Sequence, residues 1–489
     1  MEAKVTSSIF AISRTVHLLA AGSLVLAGCA VGPEYKRPEL VHPPQFRGSP
    51  EPADAQIKST DAASFADLPW WQVFSDPALH DLINQGLNHN YDLAAAAARI
   101  EQARALLGVS RSEGQPQIGY EGSVGAEKTF VPLPNSIGTT KYFGVGGALK
   151  AAWEIDLWGR IRHSNEAAQA NVYAQEEVQR GIMLALVSDI ASGYYRLLTL
   201  DRELAIAEES NQAYKKILDL FSDRFRAGKD SQLPVDRTQG AYDSSAARIA
   251  DLKVEIGKQE NALSILVGGY PQAIPRGLPI TQQPRPDMPL GLTTDLIRRR
   301  PDIRKAEQMM IQANAEVGVA VANFYPRFGL GTLLGGIHVD AEHGISGSFG
   351  VWKVGLDMLG TIFSGGRLES ELAQKKAFWT EMIADYQKTV TVAFQETSDA
   401  LIAQQNLVAR RTALESQVGA LRRSVDTALL RYDAGRASYF EVLEAQQQLF
   451  PAEDELARTQ RSQMQAMIDL YKALGGGWNQ TNEQWNHPS

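Results

Sequence analysis

The sequence predicts an α+β chain, mostly α, in which a long helical hairpin occurs twice and each copy carries a pair of amphipathic strands. Three observations predict it. Gly159 to Gly269 recurs from Gly366 to Gly476, a shift of 207 positions that superposes Gly159-Arg160 on Gly366-Arg367, Ala227-Gly228 on Ala434-Gly435 and Gly268-Gly269 on Gly475-Gly476. Arg160 to Phe225 and Arg367 to Tyr432 contain no proline. Four other stretches alternate apolar residues with small or charged ones, the period of a strand with two different faces.

In the second long stretch Leu414, Val418, Leu421, Val425, Ala428 and Tyr432 fall at alternating spacings of four and three, a heptad seam. At about 1.5 Å per residue such a helix reaches on the order of 100 Å. It has to be a rod or the wall of a tube. Its contact stripe is rich in small and polar residues, as from Val392 to Ala400, which suits close helix contact around a hollow better than a solid bundle. Gly228 and Gly435 can take the left-handed conformation that ends a helix. A shorter helix returns from about Pro234 or Phe440, so each copy is an antiparallel hairpin with a tight tip.

Composition narrows the function classes. The 489 residues are 44% hydrophobic and 21% charged, which excludes wholesale disorder. The net charge of -8 opposes nucleic-acid binding, and the basic run Arg298-Arg-Arg300 reads as a solvated helix end. Cys29 is the single cysteine, so an intrachain disulfide is impossible.

Taken in order, Lys4 and Arg14 precede an apolar run from Thr15 to Leu26, a signal peptide over 1-28. Leu26-Ala-Gly-Cys29 then matches the bacterial lipoprotein processing signal, which makes Cys29 the lipidation site. Pro33, Pro38, Pro43, Pro44, Pro50 and Pro52 make 29-69 an extended tether rather than core. From Trp70-Trp71 the first repeat runs to 269, with Asp76-Pro77 as a cap signal and a helix from Tyr91 to about Glu113. A shift of 210 superposes Asp92 on Asp302, Gly108-Val109 on Gly318-Val319 and Pro116 on Pro326, so the second repeat occupies 292-476. A proline-rich linker, 270-291, joins them, and 477-489 is a flexible tail.

The strands are expected at about 117-127, 142-155, 327-337 and 348-359. Phe143, Val145, Leu149 and Trp153 alternate with Tyr142, Lys150 and Glu154; Trp352, Val354, Leu356 and Met358 alternate with Lys353 and Asp357. Phe143 and Trp153 lie roughly 33 Å apart along the strand, or about 25 Å along the normal at a 40° tilt, the span of an outer-membrane barrel wall. Pro132 to Gly138 and His338 to Gly347 read as the turns. Four strands cannot close a barrel, since about eight is the smallest number that does, and a membrane leaves no edge unpaired. Several chains must therefore share one barrel.

With Cys29-Ala-Val-Gly-Pro-Glu-Tyr-Lys-Arg-Pro38, Trp70-Trp71, Arg300-Pro-Asp-Ile303 followed by Ala306-Glu307, and the duplicated hairpin, the chain resembles the outer-membrane efflux lipoproteins of the TolC/OprM type, NodT branch. The resemblance implies a homotrimer with a 12-stranded barrel in the outer membrane and a coiled-coil α-barrel through the periplasm. It implies a passive exit duct for small molecules, partnered by an inner-membrane RND pump and a periplasmic adaptor, with no cofactor. It also implies an acidic aperture. Glu441 and Glu444 occupy its positions, one helical turn apart; Tyr432 matches a tyrosine of the closing links. Arg436 is a candidate for the link arginine, whose place aligns nearer Ala437, and Asp230 and Asp236 flank Pro234, where relatives carry the link aspartate. Ala227, Gly228, Ala434 and Gly435 sit at the tips that meet the adaptor in similar proteins.

Three alternatives stand beside this reading. His338, Asp340, Glu342 and His343 lack metal-site spacing, which argues against an enzyme. A lipid-anchored coiled-coil spacer leaves the paired alternating stretches without a purpose, and an exit duct for type I protein secretion shares the architecture.

Overall fold

The structure, a computed structural model, describes residues 30–39, 43–49, 68–133, 136–284, 299–341 and 345–477. Cys29, the signal region, Glu342, His343 and the tail beyond 477 lie outside the described residues. The elements run α1 (Trp70–Val73), α2 (Pro77–His89), α3 (Tyr91–Ser112), β1 (Gln117–Leu133), β2 (Ser136–Ile155), α4 (Arg160–Arg226), α5 (Gln232–Leu266), α6 (Pro301–Ala322), β3 (Arg327–Ala341), β4 (Ile345–Leu359), α7 (Arg367–Asp433) and α8 (Tyr439–Ala473). The chain divides into two compact units.

One unit holds Arg99–Gln175, Ala306–Tyr386 and the N-terminal residues to Glu39. Its centre is an antiparallel sheet in the order β1-β2-β3-β4, so β1 and β4 are its edges. The register gathers the alternating residues of all four strands into rows. Tyr120, Leu149, Leu334 and Trp352 form one row, and Ile118, Ala151, Thr332 and Val354 another on the same face. This face stands open: Tyr120 is 90% exposed and Trp352 76%. On the opposite face Lys150 pairs across Leu333 to Lys353, and Glu154 across Gly329 to Asp357. Glu121 forms an ion pair with Lys150 there. That face is not uniformly polar, because Ile337, Phe349 and Val351 share it.

The strands are longer than the alternation predicts. Pairing continues past Glu127↔Tyr142 to Leu133↔Ser136, and past Val339↔Gly347 to Ala341↔Ile345. Most of the residues read as turns are therefore ladder, since a ladder already in register gains a backbone bond with each added pair.

The N-terminal segment is extended, as its prolines require, but it is fixed along its length. Val31 N–H donates to Trp158 O (3.0 Å), Asn314 Nδ2 donates to Pro33 O (3.0 Å), and Arg37 grips Glu307 with two bonds of 2.5 and 2.6 Å. Two of the motifs that carry the family resemblance thus meet each other. Trp158, just past β2, stacks on Tyr325 with centroids 4.7 Å apart.

The other unit holds Leu40–Ala98, Glu176–Lys305 and Gln387 onward. Here the contact stripe of small residues is buried: Ala393 and Thr397 are 0% exposed and Ala400 4%. Part of the segment read as a tether belongs to this core, since Phe46 is 3% exposed with its ring 5.2 Å from that of Phe394. The described part of the interrepeat linker is docked too. Ile274 and Ile280 are buried, and the buried carboxylate of Asp76, which caps α2 through Ala78 N–H (3.0 Å), also accepts from Tyr194 Oη (2.9 Å), Leu278 N–H (3.1 Å) and Gln283 Nε2 (2.7 Å).

Arg300 corrects the expectation of a solvated helix end. It is 6% exposed, and it donates to Asp302 (2.8 and 3.0 Å) and to Ala473 O (3.0 Å) and pairs with Glu396 (2.7 Å). The side chain ends α8 by binding a carbonyl the helix cannot satisfy itself. A buried guanidinium needs such company to offset its desolvation.

Candidate functional site

The site is built where the two hairpins turn. Gly228 and Gly435 have φ of 68° and 66°. At the first tip Gly228 N–H reaches Phe225 O (2.9 Å) and Lys229 N–H reaches Arg224 O (2.9 Å); at the second Gly435 N–H reaches Tyr432 O and Arg436 N–H reaches Arg431 O (both 2.8 Å). These are the nested bonds with which a left-handed residue closes a helix. A Cβ on either glycine would find nothing within 4 Å. Ala227-Gly228 and Ala434-Gly435 are therefore open knuckles.

Behind the knuckles the hairpins share an apolar core of Tyr214, Ile217 and Phe221 from α4, Ala428 from α7, and Tyr439, Val442 and Leu443 from α8. The Tyr439 ring stands edge-on to Phe221 (5.3 Å) and to Tyr432 (4.7 Å). Burial, with Tyr432 and Asp433 adding to it, pushes the Tyr439 hydroxyl well above its ordinary pKa. A cleft of about 320 Å³ opens beside this core, lined by Arg224, Asp230, Arg237, Tyr432 and Phe440 among others.

The charges sort as follows. Asp230 pairs with Arg224 at 2.5 Å and raises the Arg224 guanidinium above its ordinary pKa, and Tyr432 lines the same cleft. Tyr432 joins the second hairpin to the first by packing against that shared apolar core. Asp236 instead accepts from Gln232 Nε2 (2.8 Å) within its own helix. Glu441, in the first turn of α8, lies 3.4 Å from Arg431 at the end of α7, both side chains about half exposed. Glu444 is exposed one turn on and has no ion-pair partner in the chain among the described residues. Arg436 stands exposed in the turn, where its backbone N–H makes the closing bond.

Sequence reasoning missed Arg224 and Arg431, the two arginines that engage these acids. A signal was present, because the 207-position shift superposes them on each other.

A family model described as outer membrane efflux protein matches the chain twice, over residues 82–269 and 292–476. The probable efflux pump outer membrane protein TtgC of Pseudomonas putida is 31% identical over 481 residues, 97% of this chain and 98% of its own. The cation efflux system protein CusC of Escherichia coli K12 is 30% identical over 458 residues, 93% of this chain and 98% of its own. Among solved structures, the outer-membrane channel OprN is similar with a TM-score of 0.79 at 28% identity, over 92% of this chain and 100% of that one. The open state of the Neisseria gonorrhoeae MtrE outer membrane channel is similar with a TM-score of 0.79 at 27% identity, over 92% and 99%.

Proposed function

Since the chain belongs to the outer membrane efflux protein family and is an outer-membrane efflux channel, we propose that three copies join into one passive duct that an inner-membrane RND pump and a periplasmic adaptor feed. The observation that carries the trimer is the open sheet. Among the described residues β1 and β4 are unpaired edges, and the apolar rows between them are exposed. Backbone groups cannot stay unpaired in lipid. β1 of one copy therefore lies beside β4 of the next, an antiparallel match, and three copies close the ring of twelve strands that four alone cannot. The rows of Lys150 with Lys353 and Glu154 with Asp357 then face a water-filled lumen, and the rows of Tyr120 and Ile118 face lipid.

A lipid anchor on Cys29 is compatible with the same frame. Cys29 directly precedes Ala30, which packs against Gly159, four residues past the end of β2; a Cβ on that glycine would sit 3.1 Å from Ala30 Cβ. A lipidated Cys29 there has acyl chains within reach of the barrel's periplasmic rim.

In the unit that holds the hairpin tips, the exposed knuckles Ala227-Gly228 and Ala434-Gly435 suit contact with helical tips of an adaptor, and Glu441 and Glu444 narrow the aperture. Confined carboxylates repel and attract cations. Arg431 offsets Glu441 within each chain, and the apolar core around Phe221 and Tyr439 holds the two hairpins together, so opening has to break or carry that core. No step needs nucleotide or metal. The relatives' names span a probable efflux pump, toluene and cations, which fits a duct whose substrate choice lies with the pump.

Protein extracted from outer membranes in mild detergent should have the mass of three chains and a mixed helix and sheet dichroism spectrum. An all-helical monomer would contradict the reading. Glu441→Ala with Glu444→Ala should weaken block by multivalent cations in planar bilayers while leaving the trimer intact.

A further inference from the structure

The duplication that builds the tips also places one residue in each hairpin at the same point of the aperture. α5 and α8 begin at Gln232 and Tyr439, each is 35 residues long, and both follow the same closing bonds. Positions related by 207 therefore stand at the same height on equivalent helices. Glu441 corresponds to Pro234, and Glu444 corresponds to Arg237. The carboxylate of one repeat is a guanidinium in the other.

The surroundings of the two charges are complementary. Arg237 and Glu444 are both exposed, each directly followed by a residue that is buried, Thr238 and Ala445. Glu441 already has Arg431 at 3.4 Å, whereas Glu444 has no ion partner in its own chain among the described residues. The Arg237 guanidinium leans across from α5 to the second hairpin, its carbon 6.0 Å from the centre of the Phe440 ring, at the edge of cation–π range. Phe440 is 55% exposed and directly precedes Glu441. The arginine is thus held on the side of its hairpin that faces the acids.

We propose that Arg237 sets the charge of the periplasmic aperture: in a ring of alternating hairpins, three Arg237 side chains interleave with three Glu444 side chains at one level, so the opening is an alternating ring and not a purely acidic one. The inference rests on the trimeric channel reading. Its consequence is that the aperture discriminates weakly by charge, as a duct serving chemically different cargo requires. Removing the arginine uncovers the carboxylate field, which is strong in a narrow pore because few screening ions fit between the charges.

The test uses full-length protein purified as the trimer, in planar bilayers under a KCl gradient, with hexamminecobalt(III) added on the periplasmic side. Arg237→Gln should raise the K⁺ over Cl⁻ permeability ratio several-fold and tighten cobalt block about tenfold, the scale of three unit charges unmasked in a confined pore. Arg237→Glu should go further in the same direction. Arg237→Lys should match the parent, and Arg237→Gln with Glu444→Gln should return both readings close to it. If Arg237→Gln leaves selectivity and block unchanged while Glu444→Gln alters them, Arg237 does not reach the aperture and the proposal is overturned. If neither substitution moves either reading, the aperture lies elsewhere and the proposal falls with that assignment. If the parent protein conducts no ions, the channel reading itself has failed.

Discussion

The two hairpin tips are closed by the same bonds and carry different chemistry. Equivalent arginines, Arg224 and Arg431, each end a long helix and each hold an acid, but the first holds Asp230 in its own turn and the second holds Glu441 on the returning helix. The roots of the hairpins repeat the lesson. Asn90 Nδ2 caps Leu266 O at the end of α5 (2.9 Å), and Arg300 caps Ala473 O at the end of α8 (3.0 Å); the two carbonyls are again 207 positions apart. Duplication has kept the backbone closures, which any copy needs in order to fold, and has let the side chains around them diverge. Where the copies differ is where function or specificity can reside.

That comparison can be broken first at the roots. Arg300→Ala takes the cation from Asp302 and Glu396, both about half exposed, and the cap from the Ala473 carbonyl, so it should cost about 2–3 kcal/mol. Asn90→Ala removes a neutral cap and should cost only about 1–2 kcal/mol. Thermal unfolding of the two variants in detergent measures the gap; equal losses would mean that Arg300 is no more than a second cap.

The tips give a symmetric prediction. Gly228→Ala and Gly435→Ala each force a Cβ into the left-handed region with open space around it, and each should cost about 1 kcal/mol. Unequal losses by the same measurement would show that one knuckle is constrained by more than its own turn.

The smallest effect has the opposite sign. Asp454 on α8 corresponds to Ala247 on α5. Burial, reinforced by Glu203 and Glu453 and opposed by Arg458 and Arg248, raises its pKa to about 6, and its Oδ1 has no hydrogen-bond partner among the described residues. A carboxyl raised in the folded state binds a proton on folding, so its ionised form costs stability above about pH 6 and the cost fades as pH falls toward the ordinary carboxylate range. Asp454→Asn should therefore stabilise the protein at pH 7.5 by on the order of 1 kcal/mol, allowing for solvent screening. The gain should shrink by pH 5, and a gain independent of pH would remove titration as its cause.

Much of the architecture was legible because it is local or repeated. The 207-position shift, the proline-free helices and the glycines at 228 and 435 are written along the chain, and alternation located all four strands. What was not legible depends on distant partners. The ladder extends to Leu133↔Ser136 although Pro132 marks a turn locally, because the partner strand and not the residue type sustains it. Phe46 reads as part of a proline-rich tether until Phe394 is beside it. Arg300 reads as solvated because nothing in its neighbourhood announces Glu396 or the end of α8. Of the residues proposed for the aperture, Tyr432, Glu441 and Glu444 were assigned through resemblance, whereas the acids that Arg224 and Arg431 engage emerged only when each hairpin closed, and Arg237 required the two hairpins to be placed side by side.

The central claim is that β1 of each copy pairs with β4 of the next. A cysteine introduced at Ser123 in β1, combined in turn with cysteines scanned along β4 from Ser346 to Leu356, tests it by oxidation in intact outer membranes. The account predicts a crosslinked ladder that stops at three chains, with yields alternating along β4 as the side chains change face; crosslinks absent at every position, or a ladder that continues beyond three, would contradict it.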